Sequence, residues 1–276
     1  MARFAISSIA LSYLVGVPAL ANPASPCESF VGSPSDINEL RPGILQGYLD
    51  PKALPDSLKL LPAPPKPGSP ADVLDLARAK STIAIQGSPR WELATIDADL
   101  HFPAAAKIFS CALGVPISQE TTPRLYTLLR RTLTDAGLAT YRAKTHYQRP
   151  RPFMRNGQAI CTPNDEAKLR EDGSYPSGHT SGGWAWALIL SEMAPEQRDQ
   201  LISRGIEYGN SRSICNVHWS SDVEAGRLIG SATVAQLHAD PVFRADLKAA
   251  SAEIKALRMR GLPPNGNCSL ETRALN

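Results

Sequence analysis

Three short segments in the second half of the chain carry residues whose types and spacing could do chemistry on an anion. They are Lys144-Thr-His-Tyr-Gln-Arg-Pro-Arg-Pro152, Pro176-Ser-Gly-His179, and Ser211-Arg-x5-His218-x3-Asp222. The first is basic, the second has small residues before a helical pattern, and the third pairs a histidine with a carboxylate. Together these side chains could hold an anion and perform nucleophilic or acid–base steps on it.

In the third segment, His218 and Asp222 are four residues apart on a predicted helix, which places them on one face. The carboxylate can accept from one ring nitrogen, which fixes the tautomer and leaves the other nitrogen with a free lone pair. A nucleophilic or basic histidine needs this arrangement. The same spacing also occurs in pairs that only stabilise a helix.

In the second segment, Ser177 and Gly178 lie between a loop and a helical run that begins near His179. The first-turn N–H groups of a helix are unpaired and favour an anion, and a glycine lets that anion approach the backbone. Pro176 and Ser177 are also common residues at an ordinary helix start.

In the first segment, Lys144, Arg149 and Arg151 cluster in a proline-rich bend. Guanidinium groups match phosphate oxygens in a bidentate way, and lysine acts as a point charge. Such a cluster alone is most often a solvated basic face. The three segments in this order, separated by 23 residues after Pro152 and by 31 after His179, are much rarer by chance than any one of them.

With all three segments in place, the chain resembles the class A bacterial non-specific acid phosphatases, within the type 2 phosphatidic acid phosphatase superfamily. That superfamily also includes vanadium haloperoxidases and glucose-6-phosphatase. The resemblance runs from about Leu60 and the proline run after it to the final helix, and so covers most of the chain. Two features depart from the family pattern: Pro150 and the additional cysteines Cys27, Cys111 and Cys268. The additional cysteines leave the number of disulfides open.

The resemblance implies a role for each matching residue. His218 would attack phosphorus and form a phosphohistidine, Asp222 would orient it, and His179 would protonate the leaving alkoxide and then activate water. It also implies a phosphate site formed by Lys144, Arg151, Ser177, Gly178 and Arg212. It further implies a disulfide between Cys161 and Cys215. No cofactor and no metal are expected. The surrounding cations argue against His179, His218 and Asp222 as ligands of a divalent metal.

The elements that must position these residues follow from composition and patterning. The 276 residues are 43% hydrophobic, which is enough for a full core and excludes wholesale disorder. The length allows one or two domains. A net charge of +3 gives no electrostatic basis for binding a nucleic-acid polymer or an anionic membrane.

The first 21 residues, MARFAISSIALSYLVGVPALA, predict a signal peptide that is cleaved after Ala21. An N-terminal membrane anchor is the alternative, but the apolar stretch is near the lower limit for spanning. Export to the periplasm would favour disulfides. The chain has five cysteines and no C-x-x-C zinc pattern, so at least one thiol should stay unpaired or pair outside the chain.

Residues 22–70 are predicted to be a proline-rich extended segment, docked on the surface or acting as a linker. Residues 51–70 hold seven prolines, which excludes a helix or an inner strand there. Residues 71–276 are predicted to form a compact all-α domain, which the resemblance identifies with the acid phosphatase and vanadium haloperoxidase type. Its helices are predicted at 71–86, 90–111 (kinked or divided by Pro103), 121–145, 178–193, 196–208, 217–238 and 241–259, with a loop region between Pro150 and Pro176.

The hypothesis from the sequence is a secreted, metal-independent phosphatase for a broad range of small phosphate monoesters. It should act best below neutral pH and transfer phosphate to alcohols as a side reaction. A vanadium-dependent haloperoxidase, a non-catalytic phosphate-binding protein and a lipid phosphatase are the alternatives. No partner membrane is expected. The resemblance also implies a homo-oligomer, although the sequence identifies no interface.

Overall fold

The computed structural model describes Met1 and residues 37–276. The chain separates into two units, Met1–Phe30 and Val31–Asn276, and the fold described below is that of the second. Apart from Met1, the predicted signal peptide lies outside the described residues, and so does Cys27. Within residues 37–276, no helix is both long and apolar enough to cross a membrane.

The described part begins with a small hairpin and a single helical turn. Strand β1 (Glu39–Arg41) pairs antiparallel with β2 (Ile44–Leu45), and helix α1 spans Ser57–Leu60. The prediction that excluded a helix from residues 51–70 is therefore wrong at α1. The prolines flank this turn and leave its N–H groups intact, and the Asp56 carboxylate caps it by accepting from Leu58 N at 3.1 Å.

The elements that follow in the described part of the chain are all helices, and the predicted all-α class is confirmed. The α-helices after α1 are α2 (Pro70–Ile83), α3 (Pro89–Ile96), α4 (Ser110–Leu113), α5 (Pro123–Leu138), α6 (Tyr141–Tyr147), α7 (Pro152–Asn156), α8 (Glu166–Glu171), α9 (Gly178–Met193), α10 (Arg198–Ile214), α11 (Ser220–Leu237), α12 (Pro241–Met259) and α13 (Cys268–Leu275). Within residues 37–276 there are also three short 3-10 helices, at Ala105–Phe109, Pro163–Asp165 and Pro195–Gln197. Proline occupies the first turn of several helices, where its missing N–H costs no hydrogen bond.

Several boundaries differ from the prediction. The predicted helix 90–111 is divided, since α3 ends at Ile96 and the chain becomes helical again only at Ala105. The predicted helix 121–145 is also divided into α5 and α6. Thr140 donates its hydroxyl to Gly137 O at 2.7 Å between them, a local bond that periodicity does not reveal. The region predicted as loop between Pro150 and Pro176 contains α7 and α8.

Two boundary differences matter for chemistry. Helix α10 continues past the predicted end at 208 to Ile214, so Arg212 lies in its last turn. Helix α11 begins at Ser220 rather than at 217, so His218 precedes it. The Asp222 carboxylate accepts from Trp219 N at 2.9 Å and starts the helix after His218. The prediction that His218 and Asp222 share one helix face is therefore wrong.

Helix α9 lies at the centre and packs against α5, α10 and α11. Its middle is fully buried at Trp186, Ile189 and Leu190, and Trp186 Nε1 donates to Leu129 O at 3.0 Å. Glycines spaced four apart let the neighbouring helices approach closely: Gly205 and Gly209 on α10, and Gly226 and Gly230 on α11. This close packing fixes the ends of α9, α10 and α11 relative to one another.

Candidate active site

The N-terminus of α9 is joined directly to the start of α11. Ser177 caps α9 by accepting from Thr180 N at 3.2 Å, and its own N–H donates to Asp222 O at 3.0 Å. Gly178 is the first residue of α9, and a Cβ placed on it would lie 3.8 Å from Lys144 Cε. The backbone therefore brings the second segment against residues of both other segments.

His218 is buried, and its surroundings define its tautomer. Arg151 Nη1 lies 3.1 Å from His218 Nε2. A guanidinium group can only donate, so Nε2 is the accepting nitrogen and the ring proton lies on Nδ1. His218 Nδ1 is 3.4 Å from Asp222 Oδ2 and makes no hydrogen bond in this geometry. The lone pair of Nε2 thus faces the cations, and the N–H faces the carboxylate.

Asp222 is fully buried and is held from two sides. Oδ2 accepts from Trp219 N, and Oδ1 accepts from Arg149 Nη1 at 2.6 Å. Burial raises the pKa of Asp222, while the positive charge of Arg149 lowers it. Arg149 also donates to Asp75 Oδ2 on α2 at 2.9 Å, so one guanidinium group links α2 to the carboxylate beside His218.

Three cations of the site are buried: Lys144 is 4% exposed, Arg151 is 1% exposed and Arg212 is 2% exposed. Arg151 Nε donates to Leu169 O at 2.9 Å and to Asp172 O at 3.0 Å. The backbone thus aims this guanidinium group at His218 Nε2.

Arg212 differs from the other two cations because its Nε and Nη1 atoms are buried and have no hydrogen-bond partner. Burial, followed by the charge of Arg151, lowers the pKa of Arg212 to about 10. Leaving a buried charged donor unpaired is costly, so such groups normally bind an anion. The site is therefore built for a ligand with several acceptor oxygens.

His179 is half-buried in the first turn of α9. Its Nε2 lies 3.1 Å from Ala98 O, and since a carbonyl only accepts, Nε2 carries a proton. Nδ1 is left for a second proton. Burial and then the charge of Arg212 lower the pKa of His179, and burial and then Arg151 lower that of His218. Both imidazoles are therefore neutral near pH 7.

The structure thus brings together every candidate catalytic and phosphate-binding residue of the sequence analysis: Lys144, Arg151, Ser177, Gly178, His179, Arg212, His218 and Asp222. His146 is exposed, and His101 and His238 pair with acidic residues elsewhere, Asp99 and Glu192. In residues 37–276, no group of three or more His, Cys, Asp or Glu is arranged to hold a metal ion.

Three further groups were not identified from the sequence. Asp172 contacts Lys144 and Arg151, and Asp75 anchors Arg149. The third is the carbonyl of Ala98. No spacing signal could have found them, because Asp75 and Ala98 are distant in the chain from their partners. Arg149 belongs to the basic cluster of the first segment, but its contact with Asp222 became visible only in the fold.

Two disulfides form among the described residues. Cys161 pairs with Cys215, which caps the end of α10 three residues after Arg212. This is the pair that the resemblance implies. Cys111 pairs with Cys268 and fastens α13 to α4.

Comparisons with known proteins agree with this fold and site. The PAP2 superfamily profile matches residues 125–244, from α5 into α12. Non-specific acid phosphatase of Providencia stuartii is 45% identical over 76% of this chain and 86% of that protein. Acid phosphatase of Zymomonas mobilis is 40% identical over 79% of this chain and 83% of that protein. Non-specific acid phosphatase of Salmonella typhimurium is 43% identical over 74% of this chain and 82% of that protein.

The helical fold and the cationic histidine site define an enzyme of the PAP2 superfamily, a phosphatase. Within that superfamily, the chain belongs to the non-specific acid phosphatases, because its identity to them extends over most of both chains. The family predicted from the three segments is confirmed.

Proposed function

We propose that the chain hydrolyses a broad range of small phosphate monoesters through a phosphohistidine on His218, without a metal ion. The observation that carries this is the burial of unpaired Arg212 donors in the same cation cluster as the accepting nitrogen of His218. Stabilising charge on the phosphoryl oxygens is the main demand of phosphoryl transfer. Lys144, Arg151 and Arg212 supply that charge, with the N–H groups at the start of α9.

In the first step, the lone pair of His218 Nε2 forms a bond to phosphorus as the bond from phosphorus to the ester oxygen breaks. His179 gives a proton to the leaving alkoxide. The imidazole of His218 becomes positively charged, and Asp222, 3.4 Å from Nδ1, balances that charge. In the second step, neutral His179 takes a proton from water, the oxygen attacks phosphorus, and the bond to Nε2 breaks.

The same intermediate supports a side reaction. An alcohol that takes the place of water in the second step would receive the phosphoryl group and yield a new monoester. The similarity to acid phosphatases favours hydrolysis over the alternative of a vanadium-dependent haloperoxidase.

We propose that the chain is exported before it acts. Residues 1–21 act as a cleaved signal peptide that directs the enzyme to the periplasm, residues 22–70 form an N-terminal extension, and residues 71–276 form the phosphatase domain. The two disulfides support an oxidising compartment. The homo-oligomer stays a prediction, to be tested by light scattering.

Hydrolysis of p-nitrophenyl phosphate in the presence of EDTA tests the mechanism. We expect the wild type to keep its activity in EDTA and His218→Ala to lose about 10³-fold or more in kcat, because the nucleophile is removed. His146→Ala is the matched control, since His146 lies in the first segment but is exposed. Unchanged turnover in His218→Ala, or complete loss of wild-type activity in EDTA, would falsify the proposal.

A further inference from the structure

Asp172, at the end of α8, contacts two of the three site cations with one carboxylate oxygen. Its Oδ2 accepts from Lys144 Nζ at 3.3 Å and from Arg151 Nη2 at 3.0 Å. Asp172 takes no part in the proposed steps of phosphoryl transfer. A carboxylate between two proposed phosphate-binding cations nevertheless affects the positions of those cations and the pKa values at which they lose their protons.

The contacts of Asp172 leave donors free for a ligand. Lys144 Nζ has three N–H bonds, and the structure uses two of them, one on Asp172 and one on Gly173 O at 2.5 Å. Arg151 Nη2 has two N–H bonds and uses one, on Asp172. One N–H of each cation therefore remains for a phosphate oxygen while Asp172 stays in place.

The backbone holds Asp172 beside the cations, although its side chain is 36% exposed. Ser174 N donates to Arg149 O at 2.9 Å. A Cβ on Gly173 would lie 2.8 Å from Lys144 O, so only glycine lets the two chain segments approach this closely. The turn that carries Asp172 is thereby fixed against the segment that carries Lys144 and Arg151.

We propose that Asp172 is a positioning residue for phosphate binding: its carboxylate is the internal counter-ion that aligns Lys144 with Arg151 and keeps Lys144 protonated before phosphate binds. This inference deepens the proposed function and rests on it. Asp172 does not touch the reacting atoms in this role.

The electrostatics of Lys144 support the proposal. Burial and the charge of Arg151 lower the pKa of Lys144 to about 8, whereas Asp172 and, less strongly, Asp222 raise it. His218 is a further titratable neighbour of Lys144 and is neutral near pH 7. Tyr141, whose raised pKa keeps its hydroxyl neutral near pH 7, lies beside Asp172 and Arg151. Removing the charge of Asp172 therefore lowers the pKa of Lys144 further, and the lysine loses its proton at a lower pH.

Calorimetric titration of the full chain with inorganic phosphate between pH 6 and pH 10 tests this. In the wild type, affinity should decline with a midpoint near pH 8, the pKa of Lys144. In Asp172→Asn the midpoint should fall by about one pH unit or more, and Asp172→Glu should restore it. The ionisation of phosphate itself is common to all variants. Asp172→Ser should behave as Asp172→Asn does, which keeps the test available if one variant folds poorly.

Lys144→Arg identifies the group that titrates. Arginine keeps its proton throughout this range, so the decline near pH 8 should disappear, and adding Asp172→Asn to this variant should not shift any midpoint. An unchanged midpoint in Asp172→Asn, or a shift that persists in the Lys144→Arg background, contradicts the inference alone. A wild type that binds no phosphate contradicts the proposed function and, with it, this inference.

Discussion

The two imidazoles of the site explain at the residue scale why activity below neutral pH is expected. Burial and the charge of Arg151 hold the pKa of His218 well below its ordinary value. His218 therefore stays neutral, as the proposed nucleophile must be, to a lower pH than an ordinary imidazole. In the proposed mechanism His179 has the opposite requirement, because an acid must be protonated, yet burial and Arg212 lower the pKa of His179 too.

We expect a bound phosphate dianion to resolve this conflict, because its negative charge would offset that of Arg212 and raise the pKa of His179. The leaving group of an alkyl phosphate needs a proton. For such a substrate, we expect kcat to decline on the alkaline side at a pH about one unit or more above the pH at which kcat/KM declines. Steady-state rates from pH 4 to pH 9 provide both profiles. The profile of kcat/KM reports the free enzyme, and that of kcat reports the complex.

p-Nitrophenyl phosphate is the control for this measurement. Its leaving group departs without a proton, so the alkaline decline of its first step should be weaker. Coincident alkaline limbs in kcat and kcat/KM for the alkyl ester, after allowance for the ionisation of the substrate, would show that bound phosphate does not raise the pKa of His179.

At the scale of elements, the contact between α9 and α11 keeps Ser177 beside Asp222. A Cβ on Gly226 would lie 2.6 Å from Ser177 O and 2.9 Å from Thr180 Cβ. Gly226→Ala must therefore push α11 away from the N-terminus of α9. We expect the free energy of unfolding to fall by about 1–3 kcal/mol and kcat to fall with it. Denaturant unfolding and hydrolysis assays measure the two effects.

Gly137→Ala is the matched control, because Gly137 is also helical and nothing lies within 4 Å of the Cβ it would gain. This substitution should stabilise the protein by up to about 1 kcal/mol through helix propensity and leave kcat unchanged. A Gly226→Ala variant as stable and active as the Gly137→Ala variant would mean that the close approach of α9 and α11 is not needed.

At the scale of the whole molecule, α13 is tied to the rest of the chain by a disulfide and by a buried charge network. Cys268 bonds to Cys111, and Glu271 accepts from Arg204 Nε at 3.0 Å. Arg204 also pairs with Asp97, which precedes the carbonyl that accepts from His179. The C-terminal helix thus stabilises a region that borders the site.

The two disulfides should contribute to stability alike but differ in their effect on activity. Cys111 and Cys268 are 157 residues apart, and Cys161 and Cys215 are 54 apart. Loop closure predicts that replacing either pair with serine costs about 4–5 kcal/mol. The Cys161→Ser/Cys215→Ser variant should lower kcat more, because Cys215 directly closes the helix of Arg212, whereas the other disulfide reaches the site only through the charge network of α13. Chemical denaturation and assays at low temperature test both variants, and an equal loss of kcat would contradict this assignment.

The sequence alone identified the candidate residues that the structure brings together in one site. The three segments are local, so their residue types and spacing are visible without a fold, and the apolar periodicity of α9 and α12 predicted their bounds closely. Short elements such as α1 and α7 escaped prediction, since a cap or a few contacts decide them rather than a repeating pattern.

Only the tertiary structure decided how those residues face one another. His218 meets Asp222 through the cap of α11 and not across one helix face. Asp75, Ala98 and Asp172 entered the site through contacts between distant parts of the chain or through a turn of the backbone. Spacing encodes contacts within one element. Contacts between elements depend on how closely helices pack, and buried glycines and paired charges set that distance here.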